Sequence, residues 1–141
     1  MLSRTGEYAL RAVLMLARRG TDRAIPAEVI AVELDVPRNY LSKTLNRLVR
    51  RGVLISGRGP RGGFRLARPA EELAVADVVA EFEEQGPEGK CLVGGRACDP
   101  ERPCTAHEQW KAWSTQLSRR LDGTTVADLL GGGERGPGGS R

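Results

Sequence analysis

The 141-residue sequence predicts a mainly α-helical chain, in which a winged helix-turn-helix domain of three helices and a two-stranded wing precedes a long C-terminal helix. Three observations predict this fold. A basic amphipathic helix follows closely on a short helix, two short apolar runs then flank a glycine-rich turn, and apolar residues later recur at helical spacing. The expected divisions are 1–70 for the winged helix-turn-helix domain, 71–84 for a connecting helix, 85–104 for a cysteine-bearing loop, 105–130 for the long helix with a short final helix, and 131–141 for a disordered glycine-rich tail.

Two apolar segments precede the basic helix. From about residue 6 to residue 19 the apolar side chains cover a wide face, which predicts a largely buried first helix ending at Gly20. Glu7 lies in its first turn, where a carboxylate interacts favourably with the helix dipole. A second, short helix starts near Pro26, and these residues are expected on its inward face: Val29, Ile30, Ala31 and Leu34. A tight turn at residues 35–36 then leads into the third helix.

The third helix is predicted from an apolar stripe at positions i, i+4, i+7 and i+8, namely Leu41, Leu45, Leu48 and Val49. Pro37 is typical of a helix start, and Gly52 suits the left-handed residue that follows a helix end. The outward face is almost entirely basic or amide-bearing: Arg38, Asn39, Ser42, Lys43, Asn46 and Arg47. In a helix-turn-helix motif, the second helix of the pair enters the major groove of DNA. Here that helix is the third helix of the chain.

The positive charge of the chain is concentrated between residues 37 and 68. This stretch holds nine of the 22 lysines and arginines, and no acid lies between Asp35 and Glu71. The formal charge of this stretch is +9. Since the whole chain carries +4, the remaining residues sum to −5. Such a local patch favours binding to a phosphate backbone through counterion release. The plainer alternative is a solvated basic helix followed by an incidental hairpin.

The wing is predicted from the apolar runs 53–56 and 64–67, which flank a turn rich in glycine and arginine. Arg58 and Arg61 are expected in the minor groove next to the reading helix, with Pro60 and the glycines allowing close backbone approach. The complete predicted DNA-binding set is Arg38, Asn39, Tyr40, Ser42, Lys43, Arg47, Arg58, Pro60, Arg61, Gly62 and Gly63.

Other classes of function fit less well. No catalytic residue is predicted, because the only histidine has no serine or carboxylate pair arranged around it. A non-catalytic RNA- or protein-interaction module is the second class, although few aromatic residues accompany the basic helix for stacking on single strands. No stretch of about 18 apolar residues and no secretory signal is found, so a cytoplasmic location without membrane contact is expected.

Three cysteines, Cys91, Cys98 and Cys104, lie on a stretch without helical or strand periodicity, and His107 follows. An odd number of cysteines in a reducing compartment argues against a disulfide framework. Three thiolates on a loop rich in glycine and proline can hold a soft metal centre, which would also order the loop. An iron–sulfur cluster, a zinc ion completed by His107, and three unliganded thiols all remain compatible with this spacing.

The last long helix is expected to open at Thr105, since residues 105–108 have the spacing of a capping box. Its apolar residues step by 3, 4 and 4, a narrow seam formed by Trp110, Trp113, Leu117 and Leu121. Such a seam favours a homodimer contact over an intramolecular core helix, which would give a similar pattern. A final short helix with its own cap is expected from Thr125.

Several of these segments together resemble the IscR/NsrR-type transcription regulators of the Rrf-two family, over roughly residues 1–130. The matching stretches are GEYALR at 6–11, YLSK at 40–43, RGPRGGFRL at 58–66, the three-cysteine loop, and TTVADL at 124–129. The resemblance implies a homodimer in which winged helices lie at both ends of a crossed pair of long helices. It also implies a DNA-binding repressor that recognises a pseudo-palindromic operator in double-stranded DNA.

The resemblance further implies that Cys91, Cys98 and Cys104 are ligands of an iron–sulfur cluster that senses redox state, nitric oxide or iron–sulfur status. The IscR-like branch uses a histidine placed as His107 is here, whereas the nitric-oxide-sensing branch uses a carboxylate placed as Glu7 is here. A [2Fe–2S] cluster is favoured over a [4Fe–4S] cluster, although the six-residue first gap is longer than in the IscR-like pattern. Zinc binding and cluster-free thiol sensing are the alternatives.

Overall fold

The computed structural model describes residues 2–20, 22–82, 99 and 101–132. These ranges contain the following elements in chain order: α1 (Arg4–Arg19), α2 (Ala27–Leu34), α3 (Arg38–Arg50), β1 (Leu54–Gly57), β2 (Gly63–Leu66), α4 (Val75–Val79), α5 (His107–Gly123) and α6 (Val126–Gly132). Two 3-10 turns, Ala70–Glu72 and Ala80–Phe82, lie on either side of α4. The order of the elements is that predicted for a mainly α winged helix-turn-helix chain.

Helix α1 lies at the centre of the fold, where it contacts α2, α3, α4, β2 and α6. Its wide apolar face is buried as the pattern predicted, with Ala9, Ala12 and Val13 fully inaccessible. It begins at Arg4, slightly earlier than the apolar pattern indicated, because Ser3 caps it. The Ser3 hydroxyl accepts a hydrogen bond of 3.0 Å from the Gly6 amide, which satisfies an otherwise unpaired donor of the first turn.

Helix α2 packs through a narrower face than predicted. Ile30 and Ala31 are buried, but Val29 is 41% exposed, so the expectation that Val29 points inward was wrong. A helix of eight residues makes only about two turns, which limits the number of side chains that reach the core. The helix ends at Asp35, which is left-handed (φ 55°), and the Val36 amide then donates to the Ala31 carbonyl at 3.0 Å. This closes the tight turn into α3.

Helix α3 buries the predicted leucine stripe completely, since Leu41, Leu45 and Leu48 are each inaccessible to solvent. Val49 is half-buried at the edge of this stripe. Gly52 follows the helix end in a left-handed conformation (φ 77°), as the sequence predicted. The stripe fixes the rotation of α3, so the opposite face, which carries the basic and amide residues, is turned away from the core.

Strands β1 and β2 form the predicted antiparallel wing, with Leu54 opposite Leu66 at its root and Gly57 opposite Gly63 at its turn. Leu54 and Leu66 are buried in the core, whereas residues 58–61 are exposed. Ile25 also pairs with β2: its amide donates to the Phe64 carbonyl and its carbonyl accepts from the Phe64 amide, both at 2.9 Å. The wing is therefore fastened to the segment just before α2.

Gly63 is required for this fastening. Its φ is 145°, and a Cβ atom there would lie 2.4 Å from the carbonyl carbon and oxygen of Ile25. We expect Gly63→Ala to lower the free energy of unfolding by roughly 2 kcal/mol or more, because strain and steric overlap act together. Urea denaturation followed by circular dichroism measures this. Gly123→Ala is the control, since a Cβ atom there meets no described atom within 4 Å and the position is helical; equal losses in both variants would contradict the prediction.

The segment after the wing, residues 73–75, pairs with residues 124–126. The Val75 amide donates to the Thr124 carbonyl and the Val126 amide donates to the Leu73 carbonyl, both at 2.8 Å. Val126 is fully buried. Helix α6 packs against α1 and the Ala70–Glu72 turn rather than extending away from the domain. Its predicted cap is confirmed: the Thr125 hydroxyl accepts from the Asp128 amide at 3.0 Å, and the Asp128 carboxylate accepts from the Thr125 amide at 2.9 Å.

Helix α5 differs from the prediction at its start. It begins at His107 after Ala106, and no side chain of the described residues caps it, so the capping box expected at Thr105 and Glu108 was wrong. The first turn is closed instead by a 3.1 Å hydrogen bond from the His107 amide to the Cys104 carbonyl. Thr105 lies in this turn, which leaves Ala106, without a polar side chain, at the cap position.

The predicted seam of α5 is only partly covered within the chain. Trp113 is 55% exposed, while Leu121 packs against the core. The buried residues of α5 are His107 and Ser114, one heptad apart. Helix α6 extends to Gly132, so the first two residues of the predicted tail are helical, and the rest of that tail lies outside the described residues. Among the described residues, no helix has the length and apolar character needed to span a bilayer.

Candidate nucleic-acid interface and cysteine site

The first half of α3 presents the predicted reading residues to solvent. Arg38, Asn39 and Lys43 are exposed and Ser42 is half-buried. Arg38 lies 3.1 Å from the Glu28 carboxylate of α2, with both side chains more than 60% exposed. An ion pair so exposed contributes little to stability, so a phosphate can replace the carboxylate at small cost.

The wing turn lies beside the same part of α2. Arg58, Pro60 and Arg61 are exposed, and Gly62 and Gly63 are half-buried. A cleft of about 630 Å³ at the wing turn is lined by Asp22, Arg23, Ala24, Pro26, Pro60, Arg61 and Gly62. The wing turn therefore borders the segment just before α2, and the first turn of α2 carries the partner of Arg38. We call the exposed residues of α3 up to Lys43, together with residues 58–63, the reading surface.

Three of the nine basic residues form ion pairs with acids from α4 and the turn after it. Arg47 Nε lies 3.3 Å from the Glu81 carboxylate, and the other oxygen of that carboxylate lies 3.7 Å from Arg51. Arg68 approaches Asp77 at 3.9 Å. The nine basic residues thus do not form one uniform patch, because Asp77 and Glu81 partly neutralise Arg47, Arg51 and Arg68. Arg47 still belongs to the predicted DNA-binding set, but its guanidinium is held within the fold.

Tyr40 links the reading helix to α1. Its hydroxyl forms a hydrogen bond with the Thr5 hydroxyl, and its ring packs edge-on against Tyr8 with the centroids 5.7 Å apart. Arg11 lies 5.9 Å from the Tyr8 ring and donates to the Leu34 carbonyl at the end of α2. These contacts fix the first turn of α3 relative to α1. Tyr40 is 39% exposed, so part of its ring also faces the reading surface.

The described part of the cysteine site lies at the start of α5. Cys104 is half-buried and His107, one turn later, is only 8% exposed. Cys91 and Cys98 lie outside the described residues. Glu7, the alternative fourth ligand, is exposed on the first turn of α1. Among the described residues, no three histidine, cysteine or acidic side chains are grouped closely enough to hold a metal ion.

The donor set nevertheless has the chemistry of a soft metal centre. Cys104 and His107 lie three residues apart across the turn that leads into α5, a spacing at which a thiolate and an imidazole can share one ion. A thiolate is also favoured at a helix N-terminus. A cluster or zinc ion therefore fits the donors that the chain supplies at this end of α5, with Cys91 and Cys98 as the further thiolates of the predicted set.

Sequence reasoning missed two residues near the reading surface. Arg23 borders the same cleft as Arg61, although it precedes the basic stretch. Glu81 pairs with Arg47 and Arg51, although it lies thirty residues beyond them. A signal for Glu81 was present in the sequence, since Asp77 and Glu81 are four residues apart and so share a helix face. Nothing local to Arg23 indicated its position, which depends on the contact between Ile25 and Phe64.

The fold and the reading surface define a winged-helix DNA-binding protein. Comparison with known proteins agrees. The profile of the Rrf2 family, described as an iron-dependent transcriptional regulator, matches residues 2–132. An HTH-type transcriptional regulator of Aquifex aeolicus is 34% identical, with 92% of this chain and 91% of the relative aligned. The regulator IscR of Photobacterium profundum is 32% identical over 92% of this chain and 74% of its own length. The chain belongs to the Rrf2 family.

Solved structures support the same assignment. The crystal structure of Staphylococcus aureus CymR in its oxidized form superposes with a TM-score of 0.73 at 26% identity, covering 92% of this chain and 94% of that one. Because the family consists of transcriptional regulators, this protein is a DNA-binding regulator and not an enzyme.

Proposed function

We propose that this protein is a sequence-specific repressor whose affinity for its operator is set by an iron–sulfur cluster. The observation that carries the DNA-binding part is the reading surface, whose donors on α3 and on the wing turn are exposed. The wing turn borders the segment before α2, and Arg38 of α3 pairs with Glu28 of α2. Arg38, Asn39 and Lys43 reach base edges and phosphates in the major groove, while Arg58 and Arg61 enter the neighbouring minor groove. Membership of a regulator family supports this assignment.

The operator is proposed to be pseudo-palindromic and to bind a homodimer. Trp113 supports the dimer, because a large aromatic side chain that is 55% exposed on a long helix is typical of a protein interface. Trp110 and Leu117, which are half-buried, continue the same seam. Two reading surfaces related by two-fold symmetry then require half-sites about one helical turn apart, or a multiple of that distance.

The proposed cluster ligands are Cys91, Cys98, Cys104 and a fourth group, for which we favour His107. The support is its position, since His107 follows Cys104 by one helix turn and is nearly buried, whereas Glu7 is exposed on α1. A [2Fe–2S] cluster, when bound, supplies a redox-active and chemically labile centre, and one imidazole among thiolates makes it more exposed to oxygen, nitric oxide or iron loss. The thiolates hold the group, and α5 fixes the orientation of the histidine.

Sensing by zinc or by the thiols alone is the second candidate. The similarity to CymR, which has been solved in an oxidized form, favours it specifically. Cys104 at a helix N-terminus is suited to thiol chemistry in either case.

One anaerobic preparation tests the function. We expect a brown protein with visible absorption bands that binds a selected duplex operator on the order of 10³-fold or more tightly than random duplex. Binding to the matching single strands is expected to be much weaker, because the wing requires a groove. Fluorescence anisotropy before and after metal removal measures both. A colourless protein containing zinc supports the second candidate, and a preference for single strands would contradict DNA regulation altogether.

A further inference from the structure

The turn Ala80–Phe82 contacts the reading helix at several points, and Arg47 makes most of these contacts. The Arg47 guanidinium donates to the Glu81 backbone carbonyl at 2.8 Å and also contacts the Glu81 carboxylate at 3.3 Å. The same guanidinium stacks over the Phe82 ring, 4.7 Å from its centroid. Arg47 therefore contacts the Glu81 carbonyl, the Glu81 carboxylate and the Phe82 ring. A solvated arginine of α3 would make none of these contacts.

The same turn is held from the opposite direction by α1. The Ser3 hydroxyl, which caps α1, donates to the Phe82 carbonyl at 3.3 Å. Phe82 itself is 7% exposed and belongs to the core. The end of the Ala80–Phe82 turn is thus held between the start of α1 and the last turn of the reading helix. Cys91 follows Phe82 by nine residues along the chain.

We propose that Arg47 is a positioning residue that couples the cysteine ligands to the reading helix through the Glu81 carboxylate. This inference rests on the proposed function. A change in the position of Glu81 is transmitted to α3, because its carboxylate contacts Arg47 at 3.3 Å and Arg51 at 3.7 Å. The coupling acts in both directions, so that binding of the operator also alters the chain that carries the cysteines.

Glu81→Gln is the decisive variant. It weakens the ion pairs with Arg47 and Arg51 but leaves both arginines and the buried Phe82 in place. Asp77→Asn is a charge-matched control, since it removes one acid from the preceding turn of the same helical segment and weakens the 3.9 Å pair with Arg68 instead. Both variants add the same net positive charge, so any general gain in DNA affinity is shared between them.

The first measurement is the ratio of operator affinities between cluster-loaded and metal-free protein. Coupling between two sites typically changes affinity by roughly 5- to 150-fold, and we expect such a ratio in wild type and in Asp77→Asn. In Glu81→Gln the ratio is expected to fall to about twofold or less. A purely structural role for Glu81 would change both affinities alike and keep the ratio, and that result overturns the inference. A wild-type ratio of one overturns the proposed function, and this inference with it.

The second measurement needs no bound metal. In metal-free, reduced protein, the rate of alkylation of each cysteine by iodoacetamide is followed by mass spectrometry with and without operator duplex. We expect the operator to change the rates at Cys91 and Cys98 several-fold in wild type and in Asp77→Asn, but not in Glu81→Gln. A response of wild-type size in Glu81→Gln, or none in wild type, overturns the coupling even where the cluster and the operator are confirmed.

Discussion

Replacing both wing arginines, Arg58→Ala with Arg61→Ala, is expected to weaken operator binding by about 100-fold. Each arginine contributes on the order of 1.4 kcal/mol through a narrow, negatively charged groove, and each 1.4 kcal/mol corresponds to a factor of ten. Both side chains are exposed, so the fold is expected to tolerate the change. The dependence of affinity on salt concentration should also flatten, by about one unit of slope for each phosphate that the variant no longer neutralises.

The matched control removes two arginines from α5, by Arg119→Ala with Arg120→Ala. Both are exposed and lie outside the predicted seam and the reading surface. Because this control also removes two arginines, its change in net charge equals that of the wing variant. We expect operator binding within about twofold of wild type for this control. Titrations over a series of salt concentrations make the comparison. An unchanged salt slope in the wing variant would mean that the wing does not contact DNA.

Removing His107, the proposed fourth ligand, is expected to have the largest effect on the proposed cluster. Losing a partner outside the ligand set already costs roughly 10- to 100-fold in metal affinity, so His107→Ala, which would remove a ligand itself, should lose at least that much. Cys104→Ser should lose the visible absorbance as well. Absorbance and iron content of anaerobically prepared protein measure both variants, with tryptophan fluorescence confirming that α5 is folded.

Glu7→Ala is the counterpart to this test. Because Glu7 is exposed on the first turn of α1, we expect this variant to keep the absorbance and the iron content of wild type. The reverse pattern, with absorbance lost in Glu7→Ala and kept in His107→Ala, would assign the fourth ligand to the carboxylate.

Much of the fold was predictable because the relevant signals are local. The stripe of Leu41, Leu45 and Leu48 identified the face of α3 that is buried. The glycines of the wing turn and the left-handed Gly52 marked chain reversals that few other residues permit. The short helix α2 was harder, since Val29 and Ile30 are adjacent apolar residues and only packing decides which of them enters the core.

The candidate site was predictable only in part, because its remaining features depend on long-range contacts. The acid-free sequence around Arg47 did not identify its partner. The spacing of Asp77 and Glu81 was the one signal for it, and the pairing itself requires α4 to pack back onto α1. The start of α5 was missed for a related reason. The sequence offers a capping box at Thr105. In the structure, the hydrogen bond from the His107 amide to the Cys104 carbonyl forms a turn there, which leaves Ala106 at the cap position.

The hydrogen bonds that join Leu73 and Val75 to the chain around Thr125 have a practical consequence. They bring the chain that follows α5 back to the segment between the wing and α4. A fragment that stops at the wing or at α4 would lose Val126 from the core and expose the apolar side chains it covers. The minimal DNA-reading unit of this protein therefore includes α6, and the long helix is an insertion within that unit rather than an appendage to it.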